Sequence, residues 1–179
     1  MSQHFKFIAT KLDGLYVVEQ NLIQDDRGFF GRFFCANDYK ELGFSQSIKQ
    51  MNQSLTKHKG SIRGMHFQNS PYTEKKIVSC IKGEVFDVAV DIRKDSPTYL
   101  QWHGEILSAD KGSSFYIPDG FAHGFQTLTE NCQLLYIHSE FYKPDAEGVL
   151  NAFDSKIDIA WPLDVTEMSD RDRNSTLID

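Results

Sequence analysis

Cysteine is scarce: the 179 residues hold three, Cys35, Cys80 and Cys132, far apart in the chain. An odd, scattered set supports neither a disulfide framework nor a zinc knuckle. Each cysteine reads instead as a small buried hydrophobe, and the set points to a reducing, cytoplasmic setting. Positive charge is also short, with 19 Lys and Arg against 25 Asp and Glu and a net charge of −6. No basic run exceeds a few residues, which excludes bulk nucleic-acid binding by phosphate neutralisation. A local cationic pocket for a small anion remains open. No apolar window reaches the ~20 residues of a membrane-spanning helix. The opening "MSQHFKFIATKLDG" lacks the charged-then-apolar pattern of a leader. Neither nucleic acid nor membrane is an expected partner. Repeats, low-complexity tracts and linkers are missing too, so one domain over residues 1–179 is expected, long enough to bury a core.

Aromatic residues are plentiful, at 13% with 14 Phe, and they favour strands. "EVFDVAVDIR" alternates, with Phe86, Val88, Val90 and Ile92 on one face and Asp87, Ala89 and Asp91 on the other. "TYLQWHGEIL", "SSFYIPDGF", "FQTL" and "CQLLYIHSEFY" follow at the short spacing of an all-β sandwich or barrel. Turns are expected at Lys82-Gly83, Asp95-Ser96-Pro97, Asp110-Lys111-Gly112 and Thr129-Glu130-Asn131. One short N-terminal helix is expected in "ANDYKELGF", capped by Asn37 or Asp38 and ended by Gly43. The segment from Asp154 onward is polar and irregular, suited to short turns packed over the barrel. The whole fits an all-β, antiparallel double-sheet jelly roll of the cupin type, a fold that often holds a pocket at its mouth.

"SIRGMHFQ" places Arg63 and His66 three residues apart in a β-leaning run. His66 could be a buried structural residue, a metal ligand, or a base beside an anion-binding arginine. The metal reading is the weakest. A cupin metal site needs an H-x-H pair, and Met65 and Phe67 flank His66 while His58, His103 and His138 stand alone. The acid–base reading needs a carboxylate partner, a proton donor on the far side and a cation for developing charge. Tyr136, Lys75 or Lys76, and Asp170 or Asp172 are available, though spacing does not choose among them. Strict alternation puts Arg63 and His66 on opposite faces of a strand. If both serve one ligand, Gly64 must break the pleat with a bulge or kink.

The stretches "DDRGFF", "QMNQS", "SIRGMHFQ", "KKIVSCIKGEVFDVAVDIRKDSPTY", "YIPDGFAHGFQTL", "LLYIHSEFYKPDAEG", "IAWPL" and "MSDRDR" decide the matter. In this order they resemble the dTDP-4-dehydrorhamnose 3,5-epimerases, sugar-nucleotide epimerases with the cupin double-stranded β-helix fold. The resemblance implies that His66 is the base, oriented by Asp172, and that Lys76 contacts the keto oxygen. Tyr136 would donate a proton on the opposite face. Arg63 would clamp the pyrophosphate with Arg27 of a neighbouring subunit, which makes a homodimer with shared sites the functional unit. Gln50, Asn52, His123, Glu147 and Arg171 would line the nucleoside-diphosphate sugar. Neither metal nor organic cofactor is implied.

The implied activity is inversion at C3, C5 or both of a nucleotide-linked 4-keto-6-deoxyhexose, for deoxysugars of surface polysaccharide. One departure matters. The family usually carries a glutamate four or five residues after the arginine of "DRGFF", near the thymine, where this chain has Gly31 and Arg32. Thymine N3–H donates and wants an acceptor, whereas cytosine N3 accepts and would suit Arg32. A CDP-linked sugar is therefore one alternative. A 3,4-ketoisomerase and a non-catalytic sugar-binding cupin are the others. The ketoisomerase reading lacks its usual close histidine pair, and a mere binder has no need of acid and base on opposite faces.

Overall fold

The computed structural model describes residues 4–178. Its strands run β1 (Phe5–Ala9), β2 (Tyr16–Gln20), β3 (Ile23–Asp25), β4 (Gly28–Phe30), β5 (Gln50–Thr56), β6 (Ile62–Gln68) and β7 (Lys76–Lys82). They continue as β8 (Glu84–Asp91), β9 (Trp102–Ser108), β10 (Ser113–Ile117), β11 (Phe121–Thr127), β12 (Cys132–His138) and β13 (Glu147–Val149). Two short helices complete the set, α1 (Ala36–Lys40) and α2 (Asp170–Arg173). Six strands form one sheet in the order β1-β2-β10-β7-β12-β5, and five form the other in the order β13-β6-β11-β8-β9. Every pairing in both is antiparallel, as a jelly roll requires. β3 and β4 make a separate hairpin with all its strand residues exposed.

Three apolar clusters explain why the sheets stack this way. Between them, Val17, Phe115, Val78 and Leu134 of the larger sheet meet Val85, Ala89, Leu107 and Phe125 of the smaller. Outside the smaller sheet, Ile62, Val88, Val90 and Ala122 are covered by Ala152, Ile157, Ile159 and Met168 of the C-terminal segment. Outside the larger, Phe5, Val18, Ile77 and Ile137 are covered by Tyr39 of α1 and by Phe44. Central strands are thus apolar on both faces, and all seven residues of β11 are buried. Each fully buried large apolar side chain contributes about 1.5–3 kcal/mol.

The expected strands are present with shifted ends: "SSFYIPDGF" is strand only to Ile117 and reaches β11 at Phe121 after a turn, and "CQLLYIHSEFY" is strand only to His138. "TYLQWHGEIL" becomes β9 only at Trp102, because Thr98–Gln101 fold into a turn held by Ser96 and Thr98 hydroxyls on Asp91. In β8 the face that carries Asp87 is the inner one, shared with Val85 and Ala89. The helix lies where expected, but Cys35 occupies its N-cap position and makes no side-chain cap. Gly43 ends it at φ +89°, and the Phe44 N–H donates back to the Tyr39 carbonyl. The four expected turns are all present, with Gly83, Gly112 and Asn131 taking the positive φ that such reversals need. Among the described residues no helix is long and apolar enough to cross a membrane.

Candidate active site

Residues of both sheets line a cavity of about 290 Å³. Its lining is divided between them. Gln50, Asn52 and Ser54 of β5, Lys76 of β7, and Tyr136 and His138 of β12 come from the larger sheet. Arg63 and His66 of β6, His123 of β11 and Glu147 of β13 come from the smaller. Imidazole and phenol therefore stand on facing walls.

Arg63 and His66 share this cavity because β6 breaks its alternation at Gly64. The β6–β11 register shifts between His123 and Phe125, and Gly64 sits at φ +129°. A Cβ there would fall 2.5 Å from the Gly124 Cα and 2.8 Å from the His123 carbonyl oxygen. The bulge expected from the sequence exists, and only glycine fits it. Gly64→Ala is expected to destabilise the fold by about 2 kcal/mol or more, lowering Tm by roughly 5 °C or more. Thermal unfolding checks this, and an unchanged Tm would mean that the bulge relaxes freely.

His66 is one-third accessible, with 32% of its side chain exposed, and its Nε2 lies 2.8 Å from Asp172 Oδ1. The Arg171 Nη2 also lies 3.1 Å from that nitrogen. A guanidinium only donates and a carboxylate only accepts, so Nε2 cannot serve both. The buried Asp172 is the stronger claimant, since leaving its Oδ1 without a donor in a buried setting costs far more than redirecting a surface arginine. Nε2 then carries the proton and Nδ1 the lone pair, which is the form a base needs.

Asp172 is placed by α2. The Ser169 hydroxyl caps that helix by accepting from the Asp172 N–H, and the Gly64 N–H donates to Asp172 Oδ2. Burial pushes the carboxyl pKa upward, but the His66 hydrogen bond and charge, with those from Gly64 and Ser169, leave it below the ordinary value. A carboxylate kept ionised beside the ring stabilises the imidazolium that forms when the ring takes a proton. The tail residues that look like a solvated charge run thus end in a buried partner.

Tyr136 packs edge-on to His123 and stacks on His138, with its Oη 3.1 Å from Ser54 Oγ. Burial pushes its pKa up to about 12. The phenol therefore remains a protonated donor across the range in which an imidazole works as a base. His123 Nε2 lies 2.8 Å from Asp87 Oδ1, the inward carboxyl of β8, whose pKa burial raises. Lys76 Nζ lies 2.9 Å from Glu74 Oε1. Lys75 points the other way and pairs with Asp119, as alternation requires. No group of three or more His, Cys, Asp or Glu side chains converges as a metal site among the described residues.

Of the residues singled out in the sequence, Gln50, Asn52, Arg63, His66, Lys76, His123, Tyr136 and Glu147 line this cavity. Asp172 stands behind His66, and Arg171 pairs with Glu147 at 2.7 Å on the rim, beside an adjoining groove that also includes Arg63 and His66. Arg27 lies away, bound to Asp25 of its own hairpin, and Arg32 is exposed nearby in the chain. Glu74, His138 and Asp87 were not assigned from sequence. Asp87 alone left a signal, a charge sharing a face with Ala89 in a strongly alternating strand.

Comparison with known proteins adds a family. The family model described as dTDP-4-dehydrorhamnose 3,5-epimerase matches residues 9–179. The Salmonella typhimurium dTDP-4-dehydrorhamnose 3,5-epimerase is 41% identical over 174 residues, covering 96% of this chain and 94% of that protein. A Legionella pneumophila dTDP-6-deoxy-D-glucose-3,5-epimerase, solved with dTDP-4-keto-L-rhamnose, superposes with a TM-score of 0.93 at 41% identity, over 97% of this chain and 93% of the other. A Bacillus anthracis dTDP-4-dehydrorhamnose 3,5-epimerase, solved with TDP and pyrophosphate, gives 0.93 at 38% identity, over 97% and 99%.

Proposed function

The chain belongs to the dTDP-4-dehydrorhamnose 3,5-epimerase family, and from that membership we propose that it inverts C3 and C5 of a dTDP-linked 4-keto-6-deoxyhexose. It is an isomerase of the carbohydrate-epimerase type, working in deoxysugar biosynthesis. The observation that supports the assignment of roles is the facing arrangement of the His66–Asp172 pair and Tyr136, with Lys76 on the Tyr136 wall.

The chemistry follows from the substrate. C3 and C5 both flank the C4 carbonyl, so their hydrogens are acidified. His66 Nδ1 removes one, and the electron pair moves into an enolate whose charge rests on O4. The Lys76 ammonium stabilises that charge more than it stabilises the neutral ketone, and this difference is what lowers the barrier. Tyr136 then delivers its proton to the opposite face of the same carbon, which inverts it. The resulting imidazolium and phenolate return to their starting forms by exchange with water. His123 and Asn52 orient the sugar, while Arg63 and Arg171 hold the diphosphate by charge-assisted forks. A non-catalytic sugar-binding protein would need none of this opposition of acid and base.

Arg27 has no place in its own chain's cavity. Its hairpin presents the exposed aromatic rings of Phe29 and Phe30. We assign it to the cavity of a second copy, in a homodimer with shared sites; a monomeric mass by light scattering would refute this. The unpaired cysteines Cys35, Cys80 and Cys132 suit a cytoplasmic enzyme.

Turnover in deuterium oxide tests the reading: deuterium is expected at both C3 and C5 of the product. Label at one carbon alone would identify a mono-epimerase, and label at neither would reject proton abstraction. A second reading rests on Gly31 and Arg32. A Cβ at Gly31 would fall 2.5 Å from Leu22 Cδ2, so an acidic side chain does not fit there without movement. The exposed Arg32 leaves a cytosine base as the alternative. Calorimetric titration with dTDP and CDP separates the two, and a clear dTDP preference would reject the cytosine reading.

A further inference from the structure

Glu74 takes no part in the acid–base pair, yet it sits at the centre of a buried network on the Tyr136 wall. Its Oε1 accepts from Lys76 Nζ at 2.9 Å, and its Oε2 accepts from His138 Nδ1 at 2.8 Å. The Glu74, Lys76 and His138 side chains are only 8%, 9% and 9% exposed. The other His138 nitrogen, Nε2, lies 3.4 Å from the amide Nδ2 of Asn52. These neighbours select the tautomer. A carboxylate can only accept, so Nδ1 bears the hydrogen; an amide nitrogen can only donate, so Nε2 bears the lone pair. Asn52, His138 and Lys76 thus form a chain of donors that ends on one carboxylate.

The fold makes this arrangement. Glu74 and Lys76 are two apart at the entrance to β7, so in extended chain they leave the same side. His138 is the direct ladder partner of Lys76 across β7–β12. Burial pushes the Glu74 pKa upward, but the His138 hydrogen bond and the Lys76 charge outweigh it and keep the carboxyl below its ordinary value.

A lysine carries a point charge on a flexible four-carbon stem. Stabilising an enolate oxygen requires a donor already in place, and a loosely held ammonium loses much of that advantage. A carboxylate two residues away, itself pinned by a second donor, removes the freedom of the stem and offsets the cost of burying the ammonium. The opposing consideration is that the negative charge cancels part of the field Lys76 exerts on O4. Placement and cancellation push the rate in opposite directions, so experiment can distinguish them.

We propose, building on the epimerase reading above, that Glu74 is a positioning residue which holds the Lys76 ammonium at the sugar carbonyl oxygen, and that His138 holds Glu74.

The test is a double-mutant cycle on the full-length enzyme: wild type, Glu74→Ala, Lys76→Met and the double variant. It reads kcat, KM and deuterium entry at C3 and C5, a signal that accumulates over hours and stays readable in slow variants. Glu74→Ala is expected to lower kcat by about tenfold or more, with KM within about threefold. In the Lys76→Met background the same change should cost less than about twofold, because no ammonium remains to be placed. A merely structural glutamate would slow both backgrounds equally, and that result overturns the proposal. So does a Glu74→Ala enzyme as fast as wild type, or faster. If Glu74→Ala does not fold, His138→Phe serves instead, since it keeps the ring on Tyr136 while removing the donor to Glu74 and the Nε2 acceptor that faces Asn52. Its expected fall of about threefold should likewise vanish beside Lys76→Met; persistence overturns the proposal. A wild type that exchanges at neither carbon defeats the epimerase reading. A wild type that exchanges while the cycle shows no coupling defeats only the role of Glu74.

Discussion

Replacing His66 with alanine is expected to lower kcat for epimerisation by about 10³-fold, near the middle of the range for loss of a general base. Deuterium entry at C3 and C5 should fall by the same factor, because abstraction precedes everything else. The variant should still bind nucleotide, since Arg63 and Arg171 do not depend on the imidazole for their charge. Undiminished exchange in His66→Ala would remove the ring from the mechanism. The substitution also has a signature in stability. Asp172 has a depressed pKa in the folded protein, to which the His66 hydrogen bond and charge contribute. A depressed carboxyl stabilises the fold above its unfolded pKa and loses that contribution as pH falls through the folded value. His66→Ala removes much of the depression. The Tm difference between the two proteins should therefore be largest at neutral pH and shrink on acidification below the ordinary carboxylate range. A difference that stays constant with pH would show that Asp172 does not depend on His66.

Tyr136→Phe should separate the two halves of the reaction. His66 can still remove a proton and return one from its own side, so deuterium should enter the substrate with retention of configuration. Inversion needs the donor on the opposite wall and should fall by about 10²-fold or more. The ring survives the change, and with it the contacts to His123 and His138. Only the hydroxyl contact to Ser54 is lost, so stability should change by no more than about 1 kcal/mol. Equal loss of exchange and inversion would mean that Tyr136 contributes to abstraction as well. Because burial holds the phenol near pKa 12, the wild-type rate should show no basic limb from this group below about pH 11.

The relation between sequence and structure varies from element to element. β8 is plain from alternation, because Phe86, Val88 and Val90 on one face differ in kind from Asp87, Ala89 and Asp91 on the other. β12 is legible only as an apolar run, since Leu134 and Leu135 stand on opposite faces. β11 is less plain than β8, since the C-terminal segment covers its outer face and every residue is buried. β9 starts later than its residues suggest, because the side-chain bonds of Asp91 stabilise a turn that propensity does not anticipate. The kink at Gly64 followed from a logical requirement, that two residues of opposite parity serve one ligand. The Cys35 position at the head of α1 carries no comparable signal, since a cap without a side-chain bond leaves no mark in residue type.

Residue order alone carried the double-sheet fold and the family, and through the family's motifs it named the candidate reactive groups, because periodicity and ordered motifs are local properties of a chain. It also called for a break at Gly64 if Arg63 and His66 serve one ligand. Pairing was decided only by tertiary structure. Asp172 reaches His66 across 106 residues, Glu74 reaches His138 across 64, and Asp87 reaches His123 across 36. Which carboxylate meets which imidazole depends on strand register and on the path of the covering segment. Those are settled by burying three apolar clusters at once, a condition spread over the whole chain and visible in no single stretch of it.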